Sequence, residues 1–127
     1  MAFHCTIDVP RKLAICTLSG SVTSAEIAEA TEAMYRDPGW QLGFDLLYDG
    51  TRITELLFEK DGLQTIASTH AAHAELAGPG VNVILVSRAL DHAMAQMYAQ
   101  MTKNQRRTTY VCQSAAEAWR RLGRERF

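Results

Sequence analysis

Residues 81–86, VNVILV, form a near-continuous apolar run between Gly78-Pro79-Gly80 and an amphipathic stretch that starts near Ser87. A strand that is apolar on both faces must be covered on both, which is the mark of a parallel sheet flanked by helices. The rest of the chain fits that requirement. Residues 43–49 read as a second strand, and 60–77 as a helix with Leu63, Ile66, Ala67, His70, Ala74 and Ala77 along one side. Thr23 with Glu26 forms a capping box that opens a helix to about Arg36, with Ile27, Ala30 and Met34 inward. Asp37-Pro38-Gly39 ends that helix. Ser87 is placed to cap a helix whose inner stripe is Leu90, Met94, Met97 and Met101. Strand 108–112 then leads to Ser114 and Glu117, a second capping box, and a helix carrying Ala118, Trp119 and Leu122.

At the start of the chain, residues 3–8 and 13–19 alternate in polarity across VPRK, a hairpin signal. A turn centred on Pro10-Arg11 sets Phe3 opposite Leu18, Cys5 opposite Cys16 and Ile7 opposite Ala14. All six then share one face, as a correct register requires. The predicted architecture is α/β in the order ββαβαβαβα. It is a mixed, mostly parallel sheet with an N-terminal antiparallel hairpin, in one domain over residues 1–127.

Size and composition agree with this. A chain of 127 residues, 47% hydrophobic and 21% charged, is long enough to bury a core and ordinary for a globular protein. No stretch approaches the ~20 apolar residues of a membrane span. The opening MAFHCTIDVP lacks the regions of a signal peptide, which predicts a cytoplasmic protein. Cys5, Cys16 and Cys112 are an odd set in strand-like segments and are expected to be reduced core thiols.

The elements LSGSVTSAEI, FDLLYDGTRIT, VNVILVSRALDHAMAQMY and YVCQSAAEAWRRL, in that order, resemble the STAS-like superfamily. This is the fold of bacterial anti-sigma factor antagonists and of small domains similar to CRAL-TRIO lipid-binding domains. The resemblance covers nearly the whole chain and implies an interaction module rather than an enzyme. Antagonists carry Asp-Ser-Ser/Thr-Gly-Leu where this chain has EKDGLQT. Asp61, Gly62 and Leu63 match, but the phosphorylatable hydroxyl pair is missing. Thr65 lies inside the helix and Thr54 well before it, so the phosphoswitch does not carry over.

Asp49 precedes Gly50 and reads either as a catalytic or ligating carboxylate or as an Asx-type turn. No His or Ser lies near it in sequence to complete an acid–base pair, so the turn is favoured. His70 and His73 are spaced to reach one metal, yet a third ligand is lacking and His70 falls on the apolar stripe. No metal and no cofactor are expected. Gly78-Pro79-Gly80 lacks the Lys and Ser/Thr of a phosphate loop.

Charge divides unevenly. Residues 1–102 hold 6 Lys/Arg against 12 Asp/Glu, whereas residues 103–127 hold 7 against 2. The basic end (Lys103, Arg106, Arg107, Arg120, Arg121, Arg124 and Arg126) has no aromatic interleaving and reads as solvated helix surface.

The sequence therefore predicts a non-enzymatic STAS-like module for a protein partner, which includes a second copy of itself, or for an apolar small ligand. Nucleic acid is not expected. The alternatives are a small enzyme, such as a hydrolase using Asp49 with a histidine, and an acidic-lipid or nucleic-acid binder using the basic end. The predicted binding surface is the apolar triplet Leu56, Leu57 and Phe58, with Asp49 and Arg52 as its polar rim. Three large apolar residues in a connection need somewhere to go, either into the core or into a contact patch at the strand ends.

Overall fold

The computed structural model describes residues 3–123. The hairpin strands β1 (Phe3–Asp8) and β2 (Leu13–Val22) lead into α1 (Ser24–Arg36) and β3 (Asp45–Leu56). Then come α2 (Lys60–Ala72), a short α3 (Ala74–Ala77) and β4 (Val81–Leu85). The last described elements are α4 (Ala89–Met101), β5 (Thr108–Cys112) and α5 (Ala115–Arg121). One sheet runs β1-β2-β3-β4-β5, antiparallel between β1 and β2 and parallel thereafter.

The hairpin has the expected register, with Phe3 on Leu18, Cys5 on Cys16 and Ile7 on Ala14. Its turn closes through Lys12 N–H donating to the Val9 carbonyl, with Lys12 in the left-handed region at φ 56°. Strand periodicity then sorts the side chains. Ala14, Cys16, Leu46 and Tyr48 face a core shared with α1, α2 and α4, while Leu13, Leu47, Val83 and Leu85 face the opposite side, covered by Ala118 of α5 and by Leu122 at its C-cap. The sheet is thus sealed by three longer helices on one face and one short helix on the other.

Three local expectations need correction. The strand placed at 43–49 runs on to Leu56, because Asp49-Gly50 is absorbed as a bulge instead of a turn. Its partners step from Thr17 on Asp49 to Ser19 on Arg52, so β3 uses one more residue than β2, and the register shifts again between Gly20 and Ser21. The helix predicted over 60–77 breaks at His73, and Ala74 is exposed. In α4 the inner face is Asp91, Ala95 and Tyr98. Met94 and Met101 are partly buried beside it, while Leu90 and Met97 are 61% and 43% exposed.

The cap of α4 is also not Ser87. Its hydroxyl donates to the Thr51 carbonyl, while Arg88 holds the cap position and grips Asp91 with two N–H bonds of 2.9 and 3.0 Å. This bidentate pair explains why a carboxylate occupies the buried face and the helix is rotated by about one residue. The capping box of α1 forms as read: Thr23 Oγ1 accepts from Glu26 N–H at 3.1 Å and Glu26 accepts from Thr23 N–H at 3.0 Å. At α5, Ser114 accepts from Glu117 N–H. Among the described residues no helix is long and apolar enough to cross a membrane.

Candidate functional site: an apolar cavity over a buried hydroxyl–imidazole chain

Beyond Asp49, β3 continues alone beside β2, since its pairing with β4 ends at Asp49 on Leu85. Side chains of α1, α2 and α4 lie over this end of the strand. A cavity of about 70 Å³ lies there. Its walls include Leu18, Ile27, Ile53, Leu63, Ile66 and Met94, and its floor includes Tyr48 and Gly50. A single water needs roughly 10–15 Å³, so the space has room for a small apolar group. Asp91 is the one charged residue lining it among the described residues, and Arg88 satisfies its carboxylate.

The predicted triplet divides at this cavity. Leu56 and Phe58 line it and pack on the main core, while Leu57 is 51% exposed. Phe58 is seated by Gly62: a Cβ on that glycine would come within 2.7 Å of the Phe58 Cβ and Cδ2 atoms. The glycine that matches the antagonist motif thus makes room here for an aromatic wall. Gly50 has a related role, since a Cβ there would meet Ile53 at 2.8 Å and Val86 at 3.1 Å.

The polar rim is less coherent. Asp49 is half-buried and accepts from both Thr51 N–H (3.0 Å) and Thr51 Oγ1 (2.7 Å), the hydrogen bonds of an Asx-type bend. Arg52 is exposed on the bulged part of β3. His70 and His73, the histidines weighed in the sequence, make their hydrogen bonds away from Asp49. His73 Nδ1 is 2.8 Å from the Thr69 carbonyl, and its ring stacks on Tyr35. Both nitrogens of His70 meet tyrosine hydroxyls: Tyr35 at 2.9 Å on Nδ1 and Tyr48 at 3.0 Å on Nε2. Tyr48 also bonds Thr31, whose hydroxyl donates to the Ile27 carbonyl.

This buried chain touches the cavity through Tyr48. Burial pulls the His70 pKa down to about 3, with Arg107 and His73 adding to the effect. Burial also raises the tyrosines, Tyr35 to about 12 and Tyr48 well above its ordinary value. At neutral pH all of them are uncharged, so the chain is a polar spine of the core whose charge does not change near pH 7.

Arg107 is the main correction to the reading of the basic end. It is 8% exposed, not solvated. Its guanidinium donates to Asn82 Oδ1 (2.8 Å) and to the Phe44 carbonyl (2.7 Å), and reaches the Ala77, Gly78 and Val81 carbonyls at 3.2–3.3 Å. Its role is to tie the α3–β4 connection to the end of the α1–β3 loop. Arg121 lies over the Tyr110 ring at 4.6 Å, on the face of the sheet that α5 covers. Arg124 and Arg126 lie outside the described residues.

Sequence reasoning found His70 on an apolar stripe but missed its partners, because Thr31, Tyr35 and Tyr48 come from two other elements. Inward spacing of Thr31 and Tyr35 beside Ile27 and Met34 on α1 was the available signal.

No family model matches the chain, and no curated protein matches it. Among solved structures it is similar to an uncharacterized protein of the DUF3478 family with a SpoIIAA-like fold from Shewanella loihica PV-4. The likeness has a TM-score of 0.58 at 10% identity and covers 95% of this chain and 92% of that one. The fold is therefore SpoIIAA-like.

Proposed function

We propose that this domain is a non-enzymatic STAS-like module that takes an apolar small ligand into the cavity at the end of β3. Leu56 and Phe58 form one wall of it, and Asp49 and Arg52 are its proposed outer rim. The observation that carries the reading is the cavity itself, an apolar space at the strand ends where ligands of α/β sheets gather. The one charged residue lining it among the described residues, Asp91, is taken up by the two N–H bonds from Arg88, which supports binding over acid–base catalysis.

Benzene and short-chain alkanols are the probes. Added to isotope-labelled protein, they are expected to shift the methyl resonances of Ile53, Leu63 and Ile66. Ala95→Leu, which fills the cavity from α4, is expected to abolish those shifts while the melting temperature holds. Absence of shifts in the wild type, or shifts unchanged by Ala95→Leu, would refute the proposal.

A protein partner is the second reading, supported by Leu57, which the same segment turns outward. It predicts association that depends on Leu57 and is indifferent to Ala95→Leu.

A further inference from the structure

Cys5 and Cys16 face one another across the hairpin with their sulfurs 3.0 Å apart and both thiols free. Cys16 is fully buried, whereas Cys5 is partly exposed on the edge strand β1. Neither lines the cavity, so the pair is separate from the ligand site. From this arrangement we infer that Cys5 and Cys16 form a peroxide-oxidisable dithiol, with Cys5 attacking and Cys16 resolving.

The geometry supports the bond. A disulfide needs sulfurs ~2.05 Å apart and facing Cβ atoms, so about an ångström of approach closes it. The paired register already holds the two side chains on one face, against Ala30 of α1, whose carbonyl is 3.8 Å from the Cys5 sulfur. The two thiols are also unequal. The hydrogen bond between the two sulfurs lowers the Cys5 pKa, against opposing effects of burial and Asp37. The same bond, with burial, pushes Cys16 up. Cys5 is the sulfur that solvent reaches and Cys16 the one sealed in the core, which assigns the roles. Cys112 differs on each count: it is buried on the opposite face, and burial raises it to about 11.

The chemistry closes with a hydroperoxide, ROOH, as oxidant. The Cys5 thiolate attacks one peroxide oxygen. The O–O bond breaks, an S–O bond forms, and the departing alkoxide takes a proton from water to leave as ROH. The Cys16 sulfur then attacks the Cys5 sulfenic acid. The S–S bond forms, the S–O bond breaks, and hydroxide leaves with the Cys16 proton as water. Two electrons pass from the sulfur pair to the peroxide. The product staples the edge strand to the second strand, whose Leu18 lines the cavity.

The test uses the full chain, reduced and then treated with stoichiometric hydrogen peroxide. Trypsin cuts at Arg11 and Lys12, between the two cysteines, so the disulfide joins two peptides that otherwise separate. The expected result is a linked Cys5–Cys16 peptide, released by dithiothreitol, with Cys112 unmodified. Cys16→Ser is expected to leave a sulfenic acid on Cys5 that dimedone traps. Cys5 is expected to oxidise at least about tenfold faster than Cys112. Oxidised wild type whose two peptides stay separate overturns the inference, as does a Cys5 rate equal to that of Cys112. The wild-type peptide map decides the matter even where the serine variant folds poorly.

Discussion

Tyr48 and His70 share a hydrogen bond of 3.0 Å whose direction is set from its far end. The Ile27 carbonyl can only accept, so Thr31 Oγ1 donates to it at 2.9 Å. Thr31 must then accept from the Tyr48 hydroxyl, and the Tyr48 oxygen accepts from His70. His70 therefore carries its proton on Nε2, and its bare Nδ1 accepts from Tyr35 at 2.9 Å. The chain is satisfied with a neutral ring, and a second ring proton would confront the Tyr35 hydroxyl in a site removed from water.

That assignment predicts the pH dependence of stability. The His70 pKa falls from its ordinary 6.5 to about 3 on folding. Between those values the unfolded chain binds a proton that the folded one refuses. Stability contributed here is therefore fully present above pH 6.5 and is lost as pH falls toward 3. The slope for one proton reaches about 1.4 kcal/mol per pH unit. Urea unfolding from pH 4 to 7 is expected to show this rise, with a shallower one in His70→Gln. Equal slopes in the two proteins would show that His70 is not the group responsible.

Arg107 is predicted to be intolerant of lysine. Its fork serves Asn82 and carbonyls from Phe44 to Val81 at once, and an ammonium on a flexible stem cannot occupy those positions together. Several buried acceptors lose their donor, at ~1–3 kcal/mol each where no water replaces it. Arg107→Lys is expected to lower stability by about 3 kcal/mol in urea titration. A loss under about 1 kcal/mol would mean that water or the lysine re-satisfies the site.

Gly62→Ala sets two effects against each other. Alanine is the better helix former by about 1 kcal/mol. Its Cβ, however, would sit 2.7 Å from the Phe58 Cβ and Cδ2 atoms, and these are not the far end of a flexible chain. Overpacking of this kind costs about 1–3 kcal/mol, so the clash wins. The variant is expected to melt lower and to bind benzene with altered affinity, because Phe58 walls the cavity. A variant as stable as the wild type would show that the ring moves freely.

How far the sequence disclosed this can be traced residue by residue. The hairpin register was legible because period-two alternation and a Pro-Arg turn leave one consistent pairing. The extension of β3 was not, since Asp49-Gly50 spells a turn locally and becomes a bulge only when β2 lies alongside. The face of α4 misled because Leu90 and Met97 look like core, while the burial of Asp91 depends on Arg88 folding back onto it. Arg107 looks solvated in the sequence because arginines usually are, and its acceptors, from Phe44 to Asn82, lie far away along the chain. At the candidate site, Leu56–Phe58 stood out as misplaced apolar residues. That their side chains divide between cavity and solvent depends on where β3 ends.

The division within that triplet yields the last prediction. Phe58 packs on the main core and against Gly62, so placing a carboxylate there removes an apolar wall and brings a charge into it. Burying one such side chain contributes ~1.5–3 kcal/mol, and an unpaired charge adds to the loss. Phe58→Asp is therefore expected to lower the melting temperature markedly. Leu57, half exposed, has little burial to lose, so Leu57→Asp is expected to melt within a degree or two of the wild type, as surface changes usually do. Size measured by light scattering then separates the two roles. If Leu57→Asp shifts an oligomer to monomer while Phe58→Asp only destabilises, the outward residue is the contact and the inward one the cavity wall. If Phe58→Asp stays fully stable, the aromatic is not part of the core and the division drawn here fails.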